Sequence, residues 1–169
     1  MLLFALLSAQ QLPPIALPSA AQSQTLERSE VDHVLVVTLA YLQMDGQPLI
    51  PLDQGSVPLA GRPGLEAALE VPRRADGACP ERATLLVVAD RRVPSFTMQV
   101  LETELKGSCF SAAWMLVETA PVSALPKPSE PVSLRGTLTV AALGELGGSA
   151  SRSAGPGLDE VPKPGPGSH

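Results

Sequence analysis

The densest apolar pattern in the chain is the run from Val31 to Leu42, VDHVLVVTLAYL. A run this rich in Val and Leu predicts a strand buried on both faces. Met44-Asp45-Gly46-Gln47 follows, and Asp-Gly between apolar runs marks a hairpin because both central turn positions need positive φ. The return strand is short, Pro48 to Leu52, and its two prolines lack the N–H of a ladder donor. That places it at a sheet edge. Pro63 sits where a first helical turn tolerates it, and Leu65, Ala68 and Leu69 share one helical face until Pro72 stops the helix. Thr84 to Asp90 (TLLVVAD) predicts a second buried strand, after which Ser95 offers an N-cap. The helix it opens carries Met98, Leu101 and Leu105 on one face and ends at Gly107. Ala112 to Thr119 supplies a third strand, joined to the second through a helix and therefore parallel to it.

Together these elements predict an α/β fold. It is a small mixed sheet, a hairpin plus a parallel βαβ unit, with two helices on one face. The opposite face then needs cover. A core segment of about 90 residues buries only a marginal share of its surface, so dimerisation through that open face is expected.

The flanks read differently. Residues 1–28 form a leader or linker, residues 29–119 the domain, and residues 120–169 a tail dense in Pro and Gly with no aromatic residue. Such a composition leaves too little apolar surface to offset the entropy of ordering the backbone, so disorder is expected there. One exception stays open: Val132 to Leu146 has the Leu, Val and Thr content to add an edge strand or bind a partner.

Composition narrows the function classes. The 169 residues carry 17 acidic and 12 basic side chains, a net charge of −5, with 3% aromatic content. No basic stripe with interleaved aromatics exists to grip phosphates, so nucleic acid is not an expected partner. No stretch approaches the roughly 20 consecutive apolar residues of a membrane-spanning helix.

Several strings, taken in order, carry a resemblance: Leu2 to Leu7, Ile15-Ala16-Leu17-Pro18-Ser19-Ala20, Val34 to Gly46, Leu85 to Asp90, and Arg92-Val93-Pro94 through Val117. Over Met1 to about Thr119 the chain resembles the periplasmic domain of the ExbD/TolR family of biopolymer-transport proteins. Members run from a single membrane helix into a Leu-Pro-x-Ala type segment, an Asp-Gly hairpin strand, a helix, a strand ending Ala-Asp, a Val-Pro, an amphipathic helix and a last strand. The resemblance implies a stator component of a proton-gradient-driven transport or envelope-energisation complex. It also implies a homodimer that engages an ExbB/TolQ-like membrane subunit and a TonB/TolA-like energy transducer. The family's proton-carrying aspartate lies in the membrane helix, and no residue of this chain takes that role; an acidic group in hydrocarbon is costly and functional, so its loss removes the coupling chemistry.

Two accounts of the N-terminus stay open. Either the true start lies upstream, inside a membrane helix, or a signal peptide exports a relative without a motor role. For the second, Leu2 to Leu7 serves as a short h-region and Ser19-Ala20-Ala21 as a cleavage site before Gln22, although the first basic residue is Arg28. Both place the domain outside the cytoplasm, anchored at the inner membrane with the domain in the periplasm, or soluble and exported.

Candidate chemistry is sparse. Cys79 and Cys109 precede the second and third strands, so parallel strands bring both to one sheet edge. In an oxidising compartment a disulfide is reasonable, with two unpaired small hydrophobes as the other reading. Asp90 ends a parallel strand, where α/β enzymes place functional groups, but an Asp there commonly accepts N–H bonds from the following turn. His33 is the one histidine besides the terminal residue, and no motif supplies it with catalytic partners. No catalytic role is expected of either residue. The Cys and His spacings make no zinc site, and Gly61-Arg62-Pro63-Gly64 lacks the spacing of a phosphate loop. No enzyme activity, metal or cofactor is therefore expected. Trp114 has two readings, core packing against the second helix or an anchor on a dimer or partner surface.

Overall fold

The computed structural model describes residues 10–118 and 131–143. Expectations for residues 1–9, including the apolar Leu2 to Leu7, and for residues 119–130 and 144–169 lie outside that range. Two strands come first, β1 (Gln10–Pro14) and β2 (Gln24–Glu27). A 3-10 turn at Arg28–Glu30 leads into β3 (His33–Val37), β4 (Tyr41–Met44) and β5 (Gln47–Pro51). The chain continues through α1 (Arg62–Leu69), β6 (Thr84–Ala89), α2 (Ser95–Lys106) and β7 (Ala112–Leu116), then β8 (Pro131–Leu134) and β9 (Thr137–Ala142).

Seven strands make one mixed sheet in the order β2-β9-β7-β6-β3-β4-β5, and β1 pairs with β8 in a separate two-stranded sheet. The βαβ expectation holds: β6 is parallel to β7, Leu86 lying opposite Trp114, and β3 is parallel to β6 on its other side. All remaining pairs are antiparallel.

Side-chain alternation divides the interior in two. On one face Leu35, Val37, Leu85, Val87 and Met115 pack under Leu65 and Leu69 of α1 and Leu101 and Leu105 of α2. Both helices thus lie on one face, each using apolar positions three and four residues apart. On the other face Val34, Val36, Leu86, Val88 and Leu116, with Leu138 and Val140 of β9 in the same sheet, pack under Leu12 and Ile15 of the N-terminal segment and Leu134 of β8.

That second layer corrects three expectations. First, residues 10–27 are not a mere linker, since β1 and β2 both pair with strands from the far end of the chain. Second, the 120–169 region is not a uniform disordered tail: residues 131–142 form two strands. β9 is also no edge strand but lies between β2 and β7. Leu138 and Val140 point to one core while Ala141 and the adjoining Leu143 point to the other, so the segment is buried on both faces. The average over a Pro/Gly-rich region hides this short dense stretch. Third, the sheet face expected to seek a second copy is covered by the chain's own β1 and β8, which removes the physical motive for pairing through that face.

Smaller corrections concern boundaries. The Val31 to Leu42 run is two antiparallel strands, because the chain reverses at Thr38-Leu39-Ala40. The Thr38 hydroxyl drives the reversal by accepting from the Ala40 and Tyr41 N–H groups, at 3.1 and 3.0 Å, and donating to the Tyr41 carbonyl. The Asp45-Gly46 turn then forms as expected with positive φ at both residues, but it joins β4 to β5. β5 is the outermost strand, in keeping with its prolines. In α2, Ser95 is the first helical residue and Pro94 holds the cap position. Buried Thr97 fastens that first turn instead, its hydroxyl donating to the Gly55 carbonyl at 2.6 Å.

Candidate functional site

In open α/β sheets, ligands bind in the crevice beyond the carboxyl ends of the parallel strands. Here that crevice lies beyond Val37, Ala89 and Leu116, and the chain's own residues 15–19 run across it. The Arg91 N–H donates to the Ala16 carbonyl at 2.7 Å, the Glu118 N–H donates to the Pro18 carbonyl at 2.9 Å, and Ser19 makes a parallel bridge with Glu118. Ile15 and Ala16 are buried. An extended segment therefore occupies the position where an α/β enzyme holds its substrate.

Asp90, at the mouth of this crevice, is 3% exposed. Its Oδ1 accepts the Arg92 N–H and Nε at 2.9 Å each, and its Oδ2 accepts Arg92 Nη2 at 2.8 Å. Burial works to raise the Asp90 pKa, but the Arg92 hydrogen bonds and charge, with the Ala16 N–H, outweigh it and hold the carboxyl below its ordinary value. A carboxylate so fully engaged is a poor proton shuttle. It acts as a staple between the β6–α2 turn and the crossing segment.

The amino ends of the same strands carry a second cluster. His33 Nδ1 lies 2.7 Å from Asp45 Oδ2, and the His33 ring meets Phe110 edge to face with centroids 5.6 Å apart. Asp45 Oδ1 accepts the Val34 N–H at 2.8 Å, while Asp32 Oδ2 accepts the Thr84 N–H. The His-Asp pair lacks a nucleophile: among the described residues no Ser, Thr or Cys side chain hydrogen-bonds to His33. Sequence reasoning assigned Asp45 to its turn alone, and its pairing with His33 across the β3–β4–β5 meander has no local signal. Among the described residues no group of three or more His, Cys, Asp or Glu side chains converges as a metal site would require.

Cys79 and Cys109 form a disulfide with Cα atoms 5.1 Å apart, closing a span of 30 residues. Trp114 is half-buried, but on the face opposite α2, packed against the Leu86, Leu116 and Leu138 layer. The expected contact with the second helix does not form, because Trp114 shares the strand parity of Leu116 while Met115 faces the helices. Leu59 and Phe96 are the most exposed large apolar side chains among the described residues, at 83% and 60%. No helix among the described residues is long and apolar enough to cross a membrane.

Compared with known proteins, the chain matches no family model, no curated protein and no solved structure.

Proposed function

We propose that this chain is an extracytoplasmic binding domain on the ExbD/TolR plan, serving a proton-gradient-driven transport or envelope-energisation complex through protein contacts rather than catalysis. The observation that carries the reading is the element order across residues 33–116. A hairpin, α1, β6, α2 and β7 follow one another, with β3, β6 and β7 parallel and both helices on one face. That is the order the resemblance implies. The Cys79–Cys109 disulfide supports an oxidising compartment. The filled carboxyl-end crevice and the engaged Asp90 favour binding over chemistry.

A second reading is an exported, disulfide-stapled interaction domain without a motor role. One observation favours it: residues 10–27, which the family reading assigns largely to the connection with a membrane helix, are built into the sheets as β1 and β2.

Photo-crosslinking in the native cell separates the two. A photoreactive residue at exposed Phe96 is activated with the proton gradient intact and after a protonophore collapses it. The family reading expects a crosslink to a membrane-embedded subunit whose yield changes with the gradient. Crosslinks confined to soluble proteins and indifferent to the protonophore would establish the second reading instead.

A further inference from the structure

Residues 72–82, between α1 and β6, are held to the domain in an unusual way. None of them belongs to either apolar core. Their hydrogen bonds stay inside the segment or reach back to the end of α1: Arg73 pairs with Glu70 and donates to the Gly77 carbonyl, Arg74 N–H donates to the Ala78 carbonyl, and Ala78 N–H donates to Asp76. Among the described residues, the one bond from this segment to the domain beyond the end of α1 is the disulfide to Cys109. The two sulfur-bearing residues differ sharply in access, since Cys79 is exposed and Cys109 is 4% exposed. Just beyond the segment, separate bonds fix the strands: the Ser111 hydroxyl accepts the Ala83 N–H at 3.0 Å and donates to the Ala83 carbonyl, and the Ser111 N–H meets the same carbonyl.

We propose that the Cys79–Cys109 bond is a thiol-exchange site, attacked at Cys79 by a dithiol reductant, and that opening it frees residues 72–82 without unfolding the sheet. The incoming thiolate bonds to the Cys79 sulfur, and the Cys79–Cys109 bond breaks with its electron pair going to Cys109. The Cys109 thiolate takes a proton from water. The reductant's second thiolate then attacks the mixed disulfide, leaving Cys79 as a thiol and the reductant as a disulfide. Burial of Cys109 directs the first step to the other sulfur. The freed segment carries Arg73, Arg74 and Arg82, so its release presents three cleavable basic positions.

The test uses the oxidised full-length chain under native conditions. Limiting glutathione, a monothiol, is added, and the reaction is quenched with acid and N-ethylmaleimide. Peptide mass mapping is expected to find glutathione on Cys79 and maleimide on Cys109, with the reverse adduct rarer by about tenfold or more. With dithiothreitol, trypsin cleavage after Arg73 and Arg74 is expected to accelerate by about tenfold or more while far-UV circular dichroism is unchanged. Cys79→Ser, at the exposed position, is expected to show the fast cleavage without reductant and no response to it. The proposal is overturned if glutathione settles on Cys109, if the bond resists thiols until denaturant is added, if cleavage is equally fast in both redox states, or if reduction abolishes the circular dichroism signal.

Discussion

Ending the chain at residue 119 removes β8 and β9, and the structure makes the cost calculable. The cut discards Leu134, Leu138, Val140 and Leu143, each at most 6% exposed. At about 1.5–3 kcal/mol for each buried aliphatic side chain, the lost burial alone is about 6–12 kcal/mol. Typical net stabilities are about 5–15 kcal/mol, so the shortened chain has little or nothing left. The cut also strands neighbours: β2 loses its one partner, β7 loses the ladder at Met115 and Leu116, and Val34, Val36, Leu86 and Val88 lose part of their cover. Chains 1–119 and 1–143 are to be compared by far-UV circular dichroism during thermal and urea unfolding. The longer chain is expected to unfold cooperatively, and the shorter to lack a cooperative transition and bind a hydrophobic dye. Leu134→Ala is the graded version, costing about 2–5 kcal/mol. At about 3 °C per kcal/mol for a domain of this size, its Tm falls by roughly 6–15 °C. A 1–119 chain that melts cooperatively within a few degrees of 1–143 would refute the view that β8 and β9 belong to one folding unit with the rest of the domain.

Asp90→Asn removes the charge on a buried carboxylate that three Arg92 donors hold in place, and is expected to cost about 1–3 kcal/mol at neutral pH. Because the folded-state pKa of Asp90 is lowered, its contribution is fully present above the unfolded value near 3.9 and is lost as pH falls through the lower folded value. Urea unfolding at several pH values should therefore show a constant gap between wild type and variant above about pH 5 and a narrowing one in more acidic buffer. Thr38→Val deletes the hydroxyl that closes the β3–β4 reversal and is expected to cost about 1–2 kcal/mol, read as a lower urea midpoint with an unchanged slope. Gly55→Ala places a methyl 2.7 Å from Pro94 Cδ at a backbone with φ +81, so a Tm below wild type by several degrees is expected.

The parts legible in the sequence were those with local cause. The Asp45-Gly46 turn, the α1 face of Leu65, Ala68 and Leu69, and the parallel β6–α2–β7 unit each follow from neighbours a few positions apart. The Thr38 reversal was also local, but its one hydroxyl is inconspicuous inside a run of Val and Leu. The pairings of β1 with β8 and β2 with β9 were not legible, because they join residues more than a hundred positions apart. A short strand such as Gln24–Glu27, largely exposed along its length, carries no pattern of its own and exists because Val140, Thr139 and Leu138 offer it a ladder. The candidate sites divide the same way. Spacing placed the two cysteines at one edge of the parallel strands, and the Arg92 N–H that Asp90 accepts lies in the turn that follows it, whereas the His33 partner of Asp45 and the Ala16 N–H at Asp90 depend on chain crossings that only the assembled sheet produces.

These closures also restrict how a partner engages the domain. The face opposite the helices lies under β1 and β8, so a second copy cannot use it without displacing the chain's own strands. At one sheet edge, Pro48 and Pro51 of β5 lack the N–H groups an added strand would need. At the other, the Glu27 N–H of β2 is already taken by the Glu30 carboxylate, which also sets a negative charge there. The carboxyl-end crevice is filled by residues 15–19. Among the described residues, the edges of the seven-stranded sheet thus favour partner contacts through side chains on loops and helices over extension of that sheet. Substitutions at exposed positions such as Leu59 and Phe96 should then affect association without lowering the Tm, a separation that burial in a sheet extension would not allow.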